Sequence, residues 1–344
     1  MKIAFFDTKP YDIPGFDRYT EGTDLQIKYF ENNLNEDTVS LAAGFDGVCV
    51  FVNDTVNEAV VNRLYELGVK VIALRCAGFN NVDTRACYGK IHVFRVPAYS
   101  PYAVAEHAMA LLLGINRKIH KAYNRTREFN FSLNGLTGFD LYGKTVGVIG
   151  TGKIGRIFAD ICKGFGMNVL AYDKFPNPDT GLNYVELDEL FASSDVISLH
   201  CPLTDDTYHL INDHAVEQMK KGVVIVNTSR GALIDTESLI NGIKVGIVGA
   251  ACLDVYEEEG DLFYEDFSGD IVQDDKLVRL IAMPNVIVTS HQAFLTNEAL
   301  DNIAGTTVDN LKKFFAGEAN PDTEVCYHCP RKNDCRKERN KKCF

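Results

Sequence analysis

The stretch that decides the fold is Gly143-Lys-Thr-Val-Gly-Val-Ile-Gly-Thr-Gly-Lys-Ile-Gly155. The apolar run over residues 145–149 predicts a buried parallel strand, and the glycine turn behind it leads into residues with helical spacing. Gly150 allows the tight turn, Gly152 leaves the backbone open to a phosphate, and Gly155 lets the helix pack against the strand. The free N–H groups of the helix N-terminus attract the same anion. We therefore expect a dinucleotide pyrophosphate to bind here.

The next predicted strand, residues 168–173, ends in a carboxylate 23 residues after Gly150. An acid at this strand end accepts hydrogen bonds from the adenosine ribose hydroxyls and repels a 2′-phosphate. Asp173 therefore favours NAD over NADP, although the adjacent Lys174 acts in the opposite direction.

Composition restricts the class of protein. The chain has 344 residues, of which 46% are hydrophobic and 24% charged, enough for two domains with separate cores. A net charge of −12 argues against general nucleic-acid binding. No apolar run is long enough to span a bilayer, and residues 1–7 turn polar too soon for a signal peptide. We expect a cytoplasmic protein that binds neither nucleic acid nor membrane.

Strands and helices alternate along the chain, which predicts an α/β protein with two doubly wound parallel sheets and a cleft between them. Residues 1–101 form the smaller domain, residues 293–322 return to it, and residues 102–292 form the dinucleotide domain. A single long helix is expected from Tyr102 to about Ala122. Residues 323–344 remain as a C-terminal tail.

Polar side chains follow the strands of the second domain, and Arg230, Glu259 and His291 stand out among them. Arginine holds a carboxylate bidentately, and histidine delivers a proton near neutral pH. A carboxylate on the other ring nitrogen fixes the histidine tautomer. Together these groups supply what hydride transfer to a 2-keto acid needs. His107 and His200 could supply the proton on chemistry alone.

A turn in the first domain, Arg75-Cys-Ala-Gly78, follows a predicted strand. Its backbone N–H groups could form an anion-binding nest. An ordinary strand-to-helix turn explains these four residues equally well.

Six further stretches resemble the D-2-hydroxyacid dehydrogenase family, and within it most closely the fermentative NAD-dependent D-lactate dehydrogenases. The resemblance covers residues 1–321, and the stretches that carry it span residues 72–83, 96–101, 199–204, 226–231, 253–259 and 291–294. It implies a Rossmann domain for NAD, a flavodoxin-like substrate domain, pyruvate or D-lactate as substrate, and a homodimer or homotetramer.

The resemblance also implies a role for individual residues. Arg230 would bind and polarise the keto acid, and Glu259 and His291 would form the coupled acid/base pair. The substrate would further contact Ala77 and Gly78 through its carboxylate and Tyr99 and Phe294 through its side chain. The implied cofactor contacts are Lys153, Ile154, Asp173, Cys201, Pro202, Thr207, Thr228, Ser229 and Asp254, the last near the nicotinamide, in addition to Gly150, Gly152 and Gly155.

The C-terminal tail departs from the family pattern. Four cysteines follow the spacing C-x2-C-x5-C-x7-C, and from the first of them onward seven Lys and Arg face two acids, a net of +5 (7 − 2). Such thiolates could hold zinc or an iron–sulfur cluster, but the spacing matches neither the common zinc nor the common ferredoxin pattern. A disordered basic tail and a thiol redox switch are the alternatives. The cysteines are Cys326, Cys329, Cys335 and Cys343; the other six are expected to be buried free thiols.

Two alternative functions stay open at this stage. The first is a sister dehydrogenase for a bulkier acid, such as 2-hydroxyisocaproate or 2-hydroxyglutarate, because pocket volume cannot be derived from sequence. The second is an NAD-sensing corepressor that binds peptide motifs, because such relatives can retain the catalytic residues. Turnover of NADH with pyruvate would separate them.

Overall fold

The computed structural model describes residues 1–260, 262–318 and 322–327. The protein comprises two compact units, the first Met1–Ser100 with the chain from Leu295 onward, the second Pro101–Phe294. No helix in the described part of the chain is both long and apolar enough to cross a membrane.

The first unit is built on a six-stranded sheet. Its elements are β1 (Lys2–Phe5), α1 (Ile13–Thr20), β2 (Gln26–Tyr29), β3 (Gly47–Val50), α2 (Glu58–Glu66), β4 (Val71–Leu74), α3 (Thr84–Cys87), β5 (His92–Phe94), α11 (Asn297–Phe315) and β13 (Glu324–Val325). The strand order is β13-β5-β4-β3-β1-β2. The five strands β1 to β5 run parallel, and their order is that of flavodoxin-like folds. The predicted smaller parallel domain is thereby confirmed.

The short strand β13 lies in a region that the sequence assigned to the tail. It pairs antiparallel with β5, Glu324 opposite Phe94 and Val325 opposite Val93. The Glu324 carboxylate also lies 2.8 Å from Nδ1 of His92. The chain therefore continues as part of the first sheet beyond residue 323, where the sequence-based boundary was drawn.

The second unit contains a seven-stranded parallel sheet. Its elements are α4 (Pro101–Arg117), α5 (Ile119–Arg127), β6 (Thr145–Ile149), α6 (Lys153–Gly164), β7 (Asn168–Tyr172), β8 (Asn183–Tyr184), α7 (Leu187–Ser193), β9 (Val196–Leu199), α8 (Asp213–Gln218), β10 (Val223–Asn227), α9 (Thr236–Val245), β11 (Val248–Leu253), α10 (Asp275–Ala282) and β12 (Val286–Val288). The strand order is β12-β11-β10-β9-β6-β7-β8. Counted from β6, this is the Rossmann order with one added edge strand, and the predicted nucleotide domain is confirmed.

The predicted single helix from Tyr102 to Ala122 is wrong in its last turns. Lys118 adopts a left-handed conformation with φ of 51°, which ends α4 and starts α5 in a new direction. Just before the break, the Asn116 side chain makes two hydrogen bonds to the backbone of Phe139, at 2.7 and 2.8 Å. Helix α5 buries none of its residues, so no core contact favours continuing α4 along its original axis.

Candidate active site

The glycine turn has the geometry that the sequence predicts. Gly150 has φ of 92°, and a Cβ there would lie 2.6 Å from the backbone of His200 and Cys201. A Cβ on Gly155 would lie 1.9 Å from the carbonyl oxygen of Gly150. Around Gly152 the space is open, which is what a pyrophosphate above the N-terminus of α6 requires. Lys153 begins that helix on its exposed side and Ile154 follows, half-buried.

Asp173 is held rigidly at the end of β7. One of its carboxylate oxygens accepts hydrogen bonds from the backbone N–H and the hydroxyl of Thr151, at 2.7 and 2.9 Å. The other accepts from the N–H of Phe175 at 2.9 Å. Burial opposes ionisation, but these hydrogen bonds outweigh it and lower the pKa of Asp173. A fixed negative charge therefore stands beside the glycine turn.

The ends of β9 and β10 present further groups that fit a dinucleotide. The Thr228 hydroxyl is buried and makes no hydrogen bond within the described residues, so it can take a partner from a ligand. Ser229 donates its hydroxyl to the carbonyl of Cys201 at 2.7 Å, and Thr207 donates to the carbonyl of Pro202 at 2.7 Å. The first contact joins the loops that follow β9 and β10, and the second lies within the loop after β9.

Arg230 follows β10 on a turn that its neighbours fix. The buried side chain of Asn227 donates to the carbonyl of Arg230 at 2.8 Å and accepts the N–H of Ser229 at 3.0 Å. A Cβ on Gly231 would lie 2.0 Å from the backbone of Tyr256. The Arg230 side chain is exposed and donates from Nη1 to the carbonyl of Ser229 at 2.6 Å, and in the described ranges no carboxylate lies within ion-pairing distance of it. Its guanidinium is therefore available to an anion.

His291 and Glu259 form a hydrogen-bonded pair, with Nδ1 of the imidazole 2.8 Å from Oε1 of the carboxylate. The second carboxylate oxygen accepts the N–H of Tyr256 at 3.0 Å, which fixes the direction of the first. No described residue hydrogen-bonds Nε2 of His291. A proton on Nε2 can therefore be given to a ligand, while Nδ1 remains bonded to Glu259.

Asp254, expected near the nicotinamide, uses its buried carboxylate inside the protein. The two oxygens accept hydrogen bonds from the hydroxyl of Thr289 and from the N–H groups of Gln292 and Ala293, at 2.6, 2.9 and 2.8 Å. The N–H of His291 donates to the backbone oxygen of Asp254 at 2.7 Å. The visible role of Asp254 is therefore to hold the loop that carries His291.

The two competing histidines are engaged elsewhere. Nε2 of His107 lies 3.2 Å from the hydroxyl of Thr289 and 3.3 Å from the carboxylate of Asp254. His200 packs against Phe158, lies 2.8 Å from the Ser198 hydroxyl, and has its pKa lowered to about 3 by burial. His200 is thus uncharged at neutral pH and cannot serve as the proton donor.

The sequence analysis singled out Glu259 and missed Glu257, which lies two residues earlier in the same acidic run. Oε1 of Glu257 lies 2.5 Å from Nε2 of His209, and Oε2 accepts the hydroxyl of Thr236 at 3.0 Å. This pair joins the loop before α8 to the segment that carries Glu259. His209 stands in no recognisable motif, and Glu257 lies in the stretch 253–259 without a role that the residues there indicate, so only the fold reveals the pair.

The substrate-side predictions fall on both units. In the first, the N–H groups of Ala77 and Gly78 donate to no acceptor among the described residues, as an anion nest requires. Tyr99 accepts a hydrogen bond from Asn302 through its carbonyl at 2.8 Å. In the second, Phe294 is buried next to the His291 loop.

Of the tail cysteines, Cys326 is half-buried and free, whereas Cys329, Cys335 and Cys343 lie outside the described residues.

Comparison with known proteins identifies the family. Residues 109–293 match the model for the NAD binding domain of D-isomer specific 2-hydroxyacid dehydrogenases. The chain is 53% identical to the D-lactate dehydrogenase of Escherichia coli over 329 residues, which cover 94% of this chain and 100% of that protein.

The chain belongs to the D-isomer specific 2-hydroxyacid dehydrogenase family. It is 55% identical to a 2-hydroxyacid dehydrogenase homolog of Haemophilus influenzae, over 92% of this chain and 97% of the relative. The apo structure of the Escherichia coli D-lactate dehydrogenase superposes with a TM-score of 0.87 at 50% identity, covering 94% and 100% of the two chains. This 2-hydroxyacid dehydrogenase is thus an NAD-dependent oxidoreductase with an NAD-binding domain in its second unit.

Proposed function

We propose that this enzyme is a D-lactate dehydrogenase that reversibly reduces pyruvate with NADH. The observation that carries the proposal is the His291–Glu259 pair, in which no described residue hydrogen-bonds Nε2 of the imidazole, on a sheet edge that also presents the exposed Arg230. The 53% identity to a D-lactate dehydrogenase over 94% of this chain supports pyruvate as the keto acid. NADH, when bound, supplies the hydride.

The residues of the chain account for binding and for proton transfer. Arg230 binds the substrate carboxylate and polarises its carbonyl group. The Ala77 and Gly78 amides are assigned to the carboxylate because neither N–H donates to an acceptor in the described part of the chain. His291 gives the proton on Nε2 to the developing alkoxide and takes it back in the reverse direction. Glu259 orients the imidazole through its contact with Nδ1.

Asp173, Thr228 and the glycine turn are assigned to the cofactor. The fixed carboxylate of Asp173 selects NADH over NADPH by repelling a 2′-phosphate. The unpartnered Thr228 hydroxyl and the open space at Gly152 suit a polar ligand that passes along the strand ends.

A panel of 2-keto acids crossed with NADH and NADPH tests the assignment. We expect the highest kcat/KM with pyruvate and NADH, and oxidation of D-lactate but not L-lactate in reverse. A preference for 2-ketoisocaproate or 2-ketoglutarate would move the enzyme to the bulkier substrates. NADH binding without turnover of any 2-keto acid would favour a corepressor. His291→Ala should abolish most turnover and leave NADH binding intact; an unchanged rate would remove His291 from its role.

We also propose that a second copy of the chain covers the segment 119–142. Seven large apolar side chains of this segment are exposed, including Phe129 at 84% and Tyr142 at 82%. Such a concentration is typical of an interface. The homodimer or homotetramer should be visible by sedimentation velocity, and Phe129→Ser combined with Phe131→Ser should shift it to monomer. A wild-type monomer would refute the assignment.

The tail cysteines Cys326, Cys329, Cys335 and Cys343 are proposed to bind zinc or an iron–sulfur cluster. Their four thiols and the surrounding basic residues support this proposal, because a positive environment favours thiolates. Metal analysis of anaerobically purified protein tests it. Absence of zinc and iron would leave the basic-tail and redox alternatives.

A further inference from the structure

The loop that follows Glu259 turns back onto the other half of the acid/base pair. The N–H of Phe263 donates to the carbonyl of Glu259 at 3.0 Å, and the Phe263 side chain is buried in the core. The next residue, Tyr264, donates its hydroxyl to the backbone oxygen of His291 at 3.1 Å. Its ring lies nearly parallel to the imidazole, with centroids 6.1 Å apart and planes at 28°. Glu259 thus holds His291 by its side chain, and Tyr264 holds it by its backbone.

Both residues of this contact have strained backbones. Tyr264 has φ of 73° and His291 has φ of 51°, in the left-handed region that bulky side chains rarely adopt. Such conformations persist only where surrounding contacts enforce them, and they concentrate at functional sites. For His291 the enforcing contacts are its N–H bond to Asp254 and the Tyr264 hydroxyl on its carbonyl. The peptide of His291 is therefore fixed on both sides.

We propose that Tyr264 is a positioning residue for His291. Its hydroxyl holds the left-handed peptide of His291, so that Nδ1 stays on Glu259 and Nε2 keeps the direction needed for proton transfer. The inference rests on the proposed function of His291. Nothing in the residue types around Tyr264 marks it, since it stands in a loop of mixed aromatic and acidic residues.

Tyr264→Phe removes the hydroxyl and keeps the ring. We expect kcat with pyruvate to fall about threefold to tenfold, the usual effect of losing one hydrogen bond. KM for pyruvate, NADH affinity measured by fluorescence and the thermal unfolding midpoint should stay at wild-type values. The pH profile of kcat/KM should shift, because a mobile imidazole couples less closely to Glu259. Tyr264→Leu, which also removes the ring, should lower kcat further.

Tyr65→Phe is the matched control. It deletes the same hydroxyl from a side chain that is 53% exposed on α2, and it should leave all five quantities unchanged. A Tyr264→Phe enzyme with wild-type kcat and pH profile would overturn the proposal. So would a loss of activity matched by an equal loss of NADH affinity and thermal stability, since that would indicate a general structural role.

A measurement without turnover separates this proposal from the proposed function. In protein with 15N-labelled histidine, the variant His291→Gln identifies the His291 signals among those of eight histidines. Tyr264→Phe should change the chemical shift and titration midpoint of these signals. If they do not move, the proposal fails even if the enzyme is active. If they move while wild-type protein reduces no 2-keto acid, the proposed function fails and the contact stands.

Discussion

Arg75 and Arg230 each follow a buried parallel strand, yet their side chains meet opposite surroundings. Arg75 is 2% exposed, donates to the carbonyl of Phe6 at 3.1 Å, and lies 3.8 Å from the carboxylate of Asp7 and 3.5 Å from that of Asp12. The rings of Phe5 and Phe51 enclose it at 4.5 and 4.6 Å. Arg230 is exposed and, in the described ranges, has no carboxylate partner. The first arginine is already neutralised, and the second can bind a ligand.

The difference shows that an arginine at a strand end has two uses. A buried guanidinium with carboxylates around it joins the ends of strands, here β1 and β4, and removing it leaves uncompensated charges. Burial raises the pKa of Asp12, and it raises the pKa of Asp54 in the same cluster to about 7. An exposed guanidinium whose turn is fixed by its neighbours contributes little to stability and remains available to bind a substrate.

The largest effect on activity should come from Arg230→Lys. An ammonium cannot hold a carboxylate bidentately, so kcat/KM for pyruvate should fall by about a hundredfold to a thousandfold. The free energy of unfolding should change by less than about 0.5 kcal/mol, because the side chain is exposed. Steady-state kinetics and urea unfolding measure both. The control is Arg63→Lys on α2, which should change neither, and a clear stability loss in Arg230→Lys would break the comparison.

The largest effect on stability should come from Arg75→Met. This change leaves the buried carboxylate of Asp12 without its cation and Asp7 with Lys9 alone, and it should cost the first unit about 3–5 kcal/mol. Urea unfolding followed by a probe in the first unit measures it. Activity that remains at low temperature should keep the wild-type KM for NADH. If Arg75→Met is as stable as wild type but inactive, Arg75 serves the substrate and the contrast with Arg230 is wrong.

The features that could be predicted from the sequence are those that depend on residues close together in the chain. The strand, glycine turn and helix from Thr145 to Gly164 follow from spacing, and the parallel order follows from the alternation of elements. The Arg230, Glu259 and His291 candidates depended on residue chemistry and family resemblance, and the structure adds the bond between the last two.

The remaining features depend on contacts between residues far apart in the chain. Arg75 and Arg230 look alike in sequence, and only the placement of Asp7 and Asp12 separates them. Lys118 has no glycine or proline beside it, and the break occurs where Asn116 bonds to Phe139. Tyr264 and Asp254 both hold the His291 loop. They come from separate segments of the chain, and the sequence does not show that these segments meet.

The smallest expected effect concerns a third cation, Lys174. It falls between the two arginines, because it is exposed like Arg230 but has a carboxylate partner like Arg75. Lys174 follows the Asp173 carboxylate and forms an exposed ion pair with Asp206. This hydrogen bond raises the pKa of Lys174 and engages its ammonium group. Asp206→Asn should release the ammonium and raise the ratio of kcat/KM for NADPH to kcat/KM for NADH. The rise should be only about twofold to fivefold, because exposed ion pairs are weak.

The matched control for Asp206→Asn is Asp309→Asn, which breaks a similar exposed pair with Lys313 on α11. It should leave the cofactor ratio unchanged. Asp173 still repels the 2′-phosphate in the Asp206 variant, so NADH should remain preferred. An unchanged ratio would show that Lys174 is held away from the cofactor by its backbone rather than by its partner. In that case, pairing would decide the availability of a cation only where burial fixes the side chain, as it does for Arg75.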